Sequence, residues 1–146
     1  MQLDIAKVYD KVNWNYIKKV LYAFGFDHNW FRWVMALVSS SSFSILVNGS
    51  PSEIFNPSRG LRQGDPLSPF LFILMMEGLG RSIKQAKDMG KIRGLQISKN
   101  GYVLTHQQFV DDTLLQGVPI VKEALAYKQI LKYFSLATGM EVNLSK

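Results

Sequence analysis

The stretch Phe109-Val110-Asp111-Asp112 decides how the rest of the chain is interpreted. Two bulky apolar residues precede two adjacent carboxylates, and strand-forming residues lie on both sides, at Val103-Leu104 and Leu114-Leu115. This pattern predicts a β-hairpin with both aspartates exposed at its tip. Neighbouring carboxylates repel each other, and a divalent cation between them relieves that repulsion because Mg²⁺ prefers hard oxygen ligands. An Asp-Asp pair on its own also suits an ordinary turn, in which the side chains bond nearby backbone amides.

The composition is typical of a globular protein with an excess of positive charge. Apolar residues make up 47% of the 146 positions, which is enough for a core, and the length predicts a single domain over residues 1–146. The chain has no cysteine, which excludes disulfides and thiolate zinc sites. A formal net charge of +6 favours polyanionic partners. Asp4 and Asp10 interrupt the opening, so we expect no secretory signal, and the apolar run Pro66 to Met76 is too short to cross a membrane.

The first part of the chain predicts one strand and two helices. Apolar residues flank Asp4 in a short strand-like alternation, which would project the acid from one face of the strand. One helix should begin after a cap at Asn13 or Asp10, and a second after Asp27. The apolar positions at helical spacing are Trp14, Ile17, Leu21 and Phe24 in the first helix, and Trp30, Val34, Leu37 and Val38 in the second. We expect the three tryptophans, Trp14, Trp30 and Trp33, to pack in the core or between helices.

The middle of the chain predicts a hairpin and a long helix. Asn48-Gly49 is a hairpin turn signal between two predicted strands, Phe43 to Val47 and Ser52 to Phe55. The segment from Arg59 to Pro69 is a flexible cationic loop that leads into the helix. Asp65 fits the N-cap of that helix and Pro66 its first position. From Phe70 to Met76 the helix is apolar on all sides, which predicts that it is buried.

The last part alternates strands with a helix. A strand is predicted from Ile92 to Ile97, followed by a turn at Asn100-Gly101 that leads into the acidic hairpin. A final helix is expected from about Val121 to Ala137, with Leu125, Leu131 and Phe134 at helical spacing. Gly139 should end this helix, and a strand-like tail follows it.

Three features together give the acidic pair a chemical interpretation. An acid lies in the first strand (Asp4), two lie on the hairpin (Asp111 and Asp112), and a glycine-rich cationic loop (Arg62-Gln63-Gly64) opens the long helix. If the strand of Asp4 lies beside the hairpin, the carboxylates converge and can share two divalent ions about 3.5–4 Å apart. The loop would then offer backbone N–H groups and a positive side chain to a triphosphate.

The order of these segments resembles the palm of a reverse transcriptase of the non-LTR retrotransposon (LINE) type, as found in plant genomes. Asp4 to Asp10 resembles motif A of that family, Arg59 to Pro69 motif B, Phe109 to Asp112 motif C, and Gly139 to Lys146 the motif D region. Motif B is the most specific of the four. The resemblance implies an α+β fold, in which a palm-like antiparallel sheet carries helices packed on one face, with fingers and thumb largely missing.

The resemblance also implies the roles of individual residues. Asp4, Asp111 and Asp112 correspond to the catalytic acids that bind two Mg²⁺ or Mn²⁺ ions, and the backbone carbonyl of Ile5 would also face a metal. Tyr9 corresponds to the aromatic gate below the incoming sugar. Gln63 and Gly64 correspond to contacts with the nucleotide and the template, and Lys146 to a proton donor to pyrophosphate. Lys7 and Arg62 would either contact the triphosphate or the nucleic-acid backbone, or be solvated surface charges.

The implied activity is RNA-directed DNA synthesis, in which a primer 3′-hydroxyl attacks a deoxynucleoside triphosphate and pyrophosphate leaves. The implied partners are an RNA template, a DNA primer, the dNTP, and the fingers and thumb of a longer polyprotein, with no membrane. Without that clamp we expect the chain alone to be inactive. Two alternatives stay open: a retroelement remnant that keeps the fold without activity, and a basic nucleic-acid-binding module without chemistry.

Overall fold

The computed structural model describes residues 2–6, 8–99, 101–109 and 112–143. Within these ranges the chain forms five helices and eight strands. In chain order they are β1 (Gln2–Ala6), α1 (Val8–Lys11), α2 (Trp14–Ala23), α3 (His28–Ser39), β2 (Leu46–Val47), β3 (Ser50–Pro51), α4 (Ser68–Asp88), β4 (Leu95–Gln96), β5 (Val103–Leu104), β6 (His106–Phe109), β7 (Asp112–Leu115), α5 (Val121–Thr138) and β8 (Glu141–Asn143).

The largest sheet has the strand order β6-β7-β1-β8, and all neighbouring strands are antiparallel. β1 is an inner strand that pairs with β7 on one side and β8 on the other. Its register opposes Asp4 to Asp112 in β7 and to Asn143 in β8. The first strand of the chain therefore lies beside the acidic hairpin, as the sequence predicted.

The hydrophobic core lies between one face of this sheet and the helices. In β1 the side chains of Leu3 and Ile5 are buried, and in β7 Leu115 is buried on the same side. These side chains belong to one core cluster that also includes Ile83 of α4 and Leu131 of α5. Full burial of one such side chain stabilises the fold by about 1.5–3 kcal/mol. This arrangement confirms the predicted α+β palm-like fold, with an antiparallel sheet and helices on one face.

Helix ends follow the predicted capping residues. The Asn13 side chain accepts a hydrogen bond from the Asn15 N–H at 2.8 Å at the start of α2. The Asp27 side chain accepts one from the Asn29 N–H at 2.8 Å at the start of α3. Gly139 ends α5 in the left-handed conformation, with φ at 75°. Within the described ranges, no helix combines the length and hydropathy that a membrane crossing requires.

The start of the long helix differs from the prediction. α4 begins at Ser68, and the Asp65 carboxylate accepts a hydrogen bond from the Leu67 N–H at 2.8 Å in the turn before it. Had Asp65 been the N-cap, Pro69 would be the first residue required to donate an intrahelical hydrogen bond, and proline has no N–H. Beginning at Ser68 places Pro69 in the first turn, where no donor is needed.

Several apolar side chains that the sequence predicted to be packed are exposed. Phe70 is 66% exposed and Ile73 63%, so α4 is not buried on all sides. Leu37 and Trp33 of α3, and Leu125 of α5, are also more than half exposed. The apolar stripe on each helix is wider than the face that contacts the core, and periodicity alone does not distinguish the two.

The hairpin at Asn48-Gly49 forms, with positive φ angles of 49° and 82° at its turn. Its regular ladder is shorter than predicted. β2 and β3 contribute two residues each, and an isolated bridge joins Phe43 to Phe55. The strand predicted from Ile92 to Ile97 is likewise reduced to β4, which pairs with β5.

We expect Leu131→Ala to lower the free energy of unfolding by about 2–5 kcal/mol, because it leaves a cavity in the core that α5 shares with the sheet. Leu136→Ala is the matched control, since this leucine lies on the same helix and is 71% exposed. The control should change stability by less than about 0.5 kcal/mol. Urea unfolding measures both. Equal losses would contradict the assignment of the buried face of α5.

Candidate active site

The acidic positions lie in one row across the sheet. Strand pairing opposes Phe109 to Asp112, Asp112 to Asp4, and Asp4 to Asn143. Cα atoms of directly opposed residues in antiparallel strands are about 4.5–5.5 Å apart. Asp112 is the first residue of β7 and its side chain is exposed. The register thus brings together Asp4 and Asp112, which are far apart in sequence.

Asp112 and Phe109 lie on the sheet face that the helices leave open. Leu3, Ile5 and Thr113 are buried on the covered face, and successive residues of a strand point to opposite faces. Asp112 is accordingly exposed on the open face, and Phe109 opposite it is 79% exposed. The Asp112 carboxylate accepts a long hydrogen bond of 3.5 Å from the Gln2 side-chain amide.

The chemistry of these residues fits a divalent cation. Carboxylate oxygens are the ligands that Mg²⁺ prefers, and the register opposes two acidic residues, of which Asp112 is exposed. The described part of the chain contains no group of three His, Cys, Asp or Glu side chains close enough to hold a metal. Asp111 and the side chain of Asp4 lie outside that part. The argument for a divalent cation therefore rests on the strand register and on the carboxylate oxygens as ligands.

Backbone contacts hold the cationic loop against α1, the short helix after β1. The Gly60 N–H donates to the Val12 carbonyl at 2.7 Å, and the Leu61 N–H donates to the Tyr9 carbonyl at 2.5 Å. The indole N–H of Trp14 donates to the Gly60 carbonyl at 2.6 Å. The loop is therefore fixed beside the segment that leaves the acidic strand.

Gly60 permits this docking. Its φ angle of 94° lies in the left-handed region, which favours glycine. A Cβ atom at this position would lie 2.9 Å from the Asp10 carbonyl oxygen and 3.0 Å from that of Tyr9. Any larger residue would push the loop away from α1.

Two of the predicted substrate-binding residues have definite partners. Tyr9 is half-buried, and its ring lies 5.9 Å from that of Phe72 in α4, centroid to centroid. Gln63 is exposed, and its side-chain amide donates to the Asp10 carboxylate at 3.4 Å. Asp10 thus connects α1 to the loop through a side-chain contact, in addition to the backbone contacts.

The other predicted site residues differ in their surroundings. Arg62 and Gly64 are exposed in the cationic loop, and Gly64 has a φ angle of 83°. Ile5 lies in β1 opposite Val142, and its side chain belongs to the core. Lys7 and Lys146 lie outside the described residues.

Sequence reasoning missed the junction at α1. Lys11 forms an ion pair with Glu141 of β8, and the Asn13 N–H donates to the Thr138 carbonyl at 2.7 Å. A Cβ atom on Gly139 would lie 2.7 Å from the Lys11 carbonyl oxygen. α1 has only four residues, which is too short for a periodicity signal.

The comparisons with known proteins agree with this geometry. A family model described as "Reverse transcriptase (RNA-dependent DNA polymerase)" matches residues 1–146. The chain belongs to the reverse transcriptase family. This reverse transcriptase chain is also similar to the Pol polyprotein of the retrotransposable element R2DM of Drosophila melanogaster, with 30% identity over 145 residues. The resemblance to LINE-type reverse transcriptases is therefore confirmed.

Further relatives differ in how much of this reverse transcriptase chain they match. The Pol polyprotein of a type-1 element R2 of Popillia japonica is 29% identical over 147 residues and matches the whole chain. An uncharacterized mitochondrial protein of Arabidopsis thaliana is 47% identical over 68 residues, or 47% of the chain. The matches span 13% of the Drosophila polyprotein, 20% of the Popillia polyprotein and 56% of the Arabidopsis protein.

Gly60→Ala should lower the free energy of unfolding by about 2–4 kcal/mol, because strain at positive φ and a backbone clash add together. Gly64→Ala is the control, since Gly64 has a similar φ but no atom within 4 Å of the added Cβ. It should cost only about 1–2 kcal/mol. Chemical denaturation of both variants tests the docking, and a smaller loss for Gly60→Ala would contradict it.

His106 makes the free energy of unfolding depend on pH. Burial lowers the pKa of His106, and the nearby Glu77 carboxylate partly opposes this effect. Below about pH 6.5 the unfolded chain binds a proton that the folded chain binds less readily, so stability should fall as pH falls. The slope should be shallower in His106→Gln than in the wild type. Denaturant unfolding between pH 5 and pH 8 measures this, and an unchanged slope in His106→Gln would contradict it.

Proposed function

We propose that this chain is the palm of an RNA-directed DNA polymerase, and that the open face of its main sheet carries a two-metal nucleotidyl-transfer site. The observation that supports the site is the antiparallel register that opposes Asp4 to Asp112. Membership of the reverse transcriptase family supports the reaction class. The reaction would join a primer 3′-hydroxyl to the α-phosphate of a dNTP and release pyrophosphate.

The acids would have distinct positions in this site. Asp4 would supply carboxylate oxygens from the inner strand, and Asp111 and Asp112 from the hairpin, with the carbonyl of Ile5 as a further ligand. Two divalent ions, when bound, lower the pKa of an attacking hydroxyl and neutralise charge on the phosphorus and the leaving group. Because Asp112 lies on the open face, a nucleic acid can approach it without displacing a helix.

The loop and α1 would bind the incoming nucleotide. Gln63 and Gly64 would contact the nucleotide and the template, and the backbone contacts of Gly60 hold their loop beside α1. The packing of Tyr9 against Phe72 restrains its ring, as discrimination against a ribose 2′-hydroxyl requires. Three further cationic side chains would bind the triphosphate and stabilise the leaving pyrophosphate: Lys7, Arg62 and Lys146.

The full activity would need more protein than this palm. The matched region spans 13–20% of the two R2 polyproteins described above. Fingers and thumb would hold the RNA template and DNA primer through phosphate contacts, which dominate the affinity of proteins for nucleic acids. We therefore expect the isolated palm to retain metal binding and to show little or no polymerisation.

Asp111→Asn should weaken Mn²⁺ binding by at least about tenfold, because it removes a proposed ligand charge. Asp88→Asn is the matched control, since it makes the same change at an exposed acid that ends α4. It should leave the affinity unchanged. An EPR titration of free Mn²⁺ measures all three proteins, and equal affinities in wild type and Asp111→Asn would contradict the proposed site.

Primer extension on an RNA template tests activity with the same three proteins, in the chain alone and joined to fingers and thumb from a matching polyprotein. Extension that Asp111→Asn abolishes and Asp88→Asn preserves would support the polymerase. Metal binding without extension in the completed protein would favour an inactive remnant. The net charge of +6 also suits the basic binding module, which would show salt-sensitive nucleic-acid binding that ignores both the metal and Asp111→Asn.

A further inference from the structure

The N-terminal half of the buried stripe of α5 carries two polar side chains, Glu123 and Tyr127, that the proposed site does not use. The stripe consists of Glu123, Tyr127, Leu131, Phe134 and Thr138. Glu123 is 1% exposed and Tyr127 5%. Buried polar groups are retained where hydrogen bonds satisfy them, so the partners of these two residues indicate what they hold.

The Tyr127 hydroxyl lies across the open end of the β6-β7 hairpin. Its oxygen is 3.0 Å from the Thr105 carbonyl oxygen and 2.8 Å from that of Gln116. Thr105 directly precedes β6 and Gln116 directly follows β7. A hydroxyl has one hydrogen, so the two carbonyls share it. The Gln116 N–H also donates to the Thr105 carbonyl, at 2.8 Å.

Glu123 holds the chain as it leaves the same hairpin. One carboxylate oxygen accepts the Val118 N–H at 3.1 Å, and the other accepts the Arg93 N–H at 2.9 Å. A Cβ atom on Gly117 would lie 2.5 Å from the first of these oxygens, so glycine permits the approach. Each N–H bonds a carboxylate of a residue that is 1% exposed, and a hydrogen bond to a charged group contributes about 1.5–3 kcal/mol.

These anchors add to the contacts that hold the hairpin, because β6 is an edge strand. Among the described strands of the main sheet, β6 pairs only with β7, and β7 also pairs with β1. Nearer the tip, the Gln108 side-chain amide of β6 donates to the Met76 carbonyl at 3.4 Å. Gln116, at the anchored end, lies four residues from Asp112, a distance of about 13 Å along β7. We expect a shift at the open end to be transmitted along β7 to Asp112.

We propose that Tyr127, supported by Glu123, is a positioning residue for the carboxylates at the tip of the β6-β7 hairpin. The inference rests on the proposed function, since it assigns Tyr127 a role in the same metal site. Burial, together with the Glu123 carboxylate, raises the pKa of Tyr127 to about 12, so the hydroxyl remains a donor throughout the neutral range. Tyr127 itself touches neither metal nor substrate in this proposal.

The test compares Tyr127→Phe with Tyr16→Phe. Both variants remove one hydroxyl from a tyrosine that bonds backbone carbonyls, but that of Tyr16 donates to Met75 in α4, at 3.3 Å. Mn²⁺ affinity and amide hydrogen exchange are measured on the full chain, well below both melting temperatures. Tyr127→Phe should weaken Mn²⁺ binding by about tenfold, as loss of a group behind the metal ligands typically does. Exchange should accelerate in residues 105–116, and Tyr16→Phe should alter neither quantity by more than about twofold.

Equal Mn²⁺ affinity in Tyr127→Phe and wild type would overturn the positioning role, even if both variants lose stability. A wild-type chain that binds no Mn²⁺ would contradict the proposed function instead, and unchanged exchange in residues 105–116 would then still overturn the positioning role. Should Tyr127→Phe fail to fold, Glu123→Gln replaces it, because a Gln amide can accept only one of the two N–H bonds. It should give the same direction of change in both measurements, and wild-type values would overturn the proposal.

Discussion

The pairing of β1 between β7 and β8 is the constraint on which the rest of the structure depends. Alternate residues of β1, Leu3 and Ile5, are buried against the helices. Asp4, between them, is paired with Asp112 of β7. A shift of one residue would move both apolar side chains to solvent. Losing two such burials costs about 3–6 kcal/mol. The hydrophobic core thus fixes the register that opposes the acids.

A second constraint is backbone docking around α1. The loop at Gly60 and the end of α5 at Gly139 both approach carbonyl oxygens of this short helix, at Asp10 and Lys11. Contacts between backbones depend on small residues more than on particular side chains. They connect the cationic loop to the acidic strand and to the end of α5, which leads into β8. The same device recurs at Gly117, which lets the Glu123 carboxylate approach the chain after the hairpin.

Much of the fold and the order of the site segments could be predicted from the sequence. Local side-chain or backbone chemistry marks the helix boundaries, and the sequence reveals it directly. α2 and α3 begin after Asn13 and Asp27, and α5 ends at Gly139. α4 begins at Ser68 because Pro69 has no N–H to donate and therefore suits only the first turn. Asp65 alone predicted an earlier start of this helix. The exposure of Phe70 could not be predicted, because periodicity marks an apolar stripe and tertiary packing decides how much of it is covered. The role of Tyr127 could not be predicted, because it depends on contacts with residues 105 and 116, which are distant in sequence. A glutamate on an apolar stripe, Glu123, was nevertheless a detectable sign of a buried polar contact.

The central claim is that Asp4 and Asp112 form one metal site. The most direct measurement is a double-mutant cycle in Mn²⁺ affinity with Asp4→Asn, Asp112→Asn and the double variant. If the two acids share the ions, each single substitution removes most of the affinity, and the double variant is hardly weaker than either single one. Additive losses, or an Asp4→Asn chain that binds Mn²⁺ as the wild type does, would contradict the account.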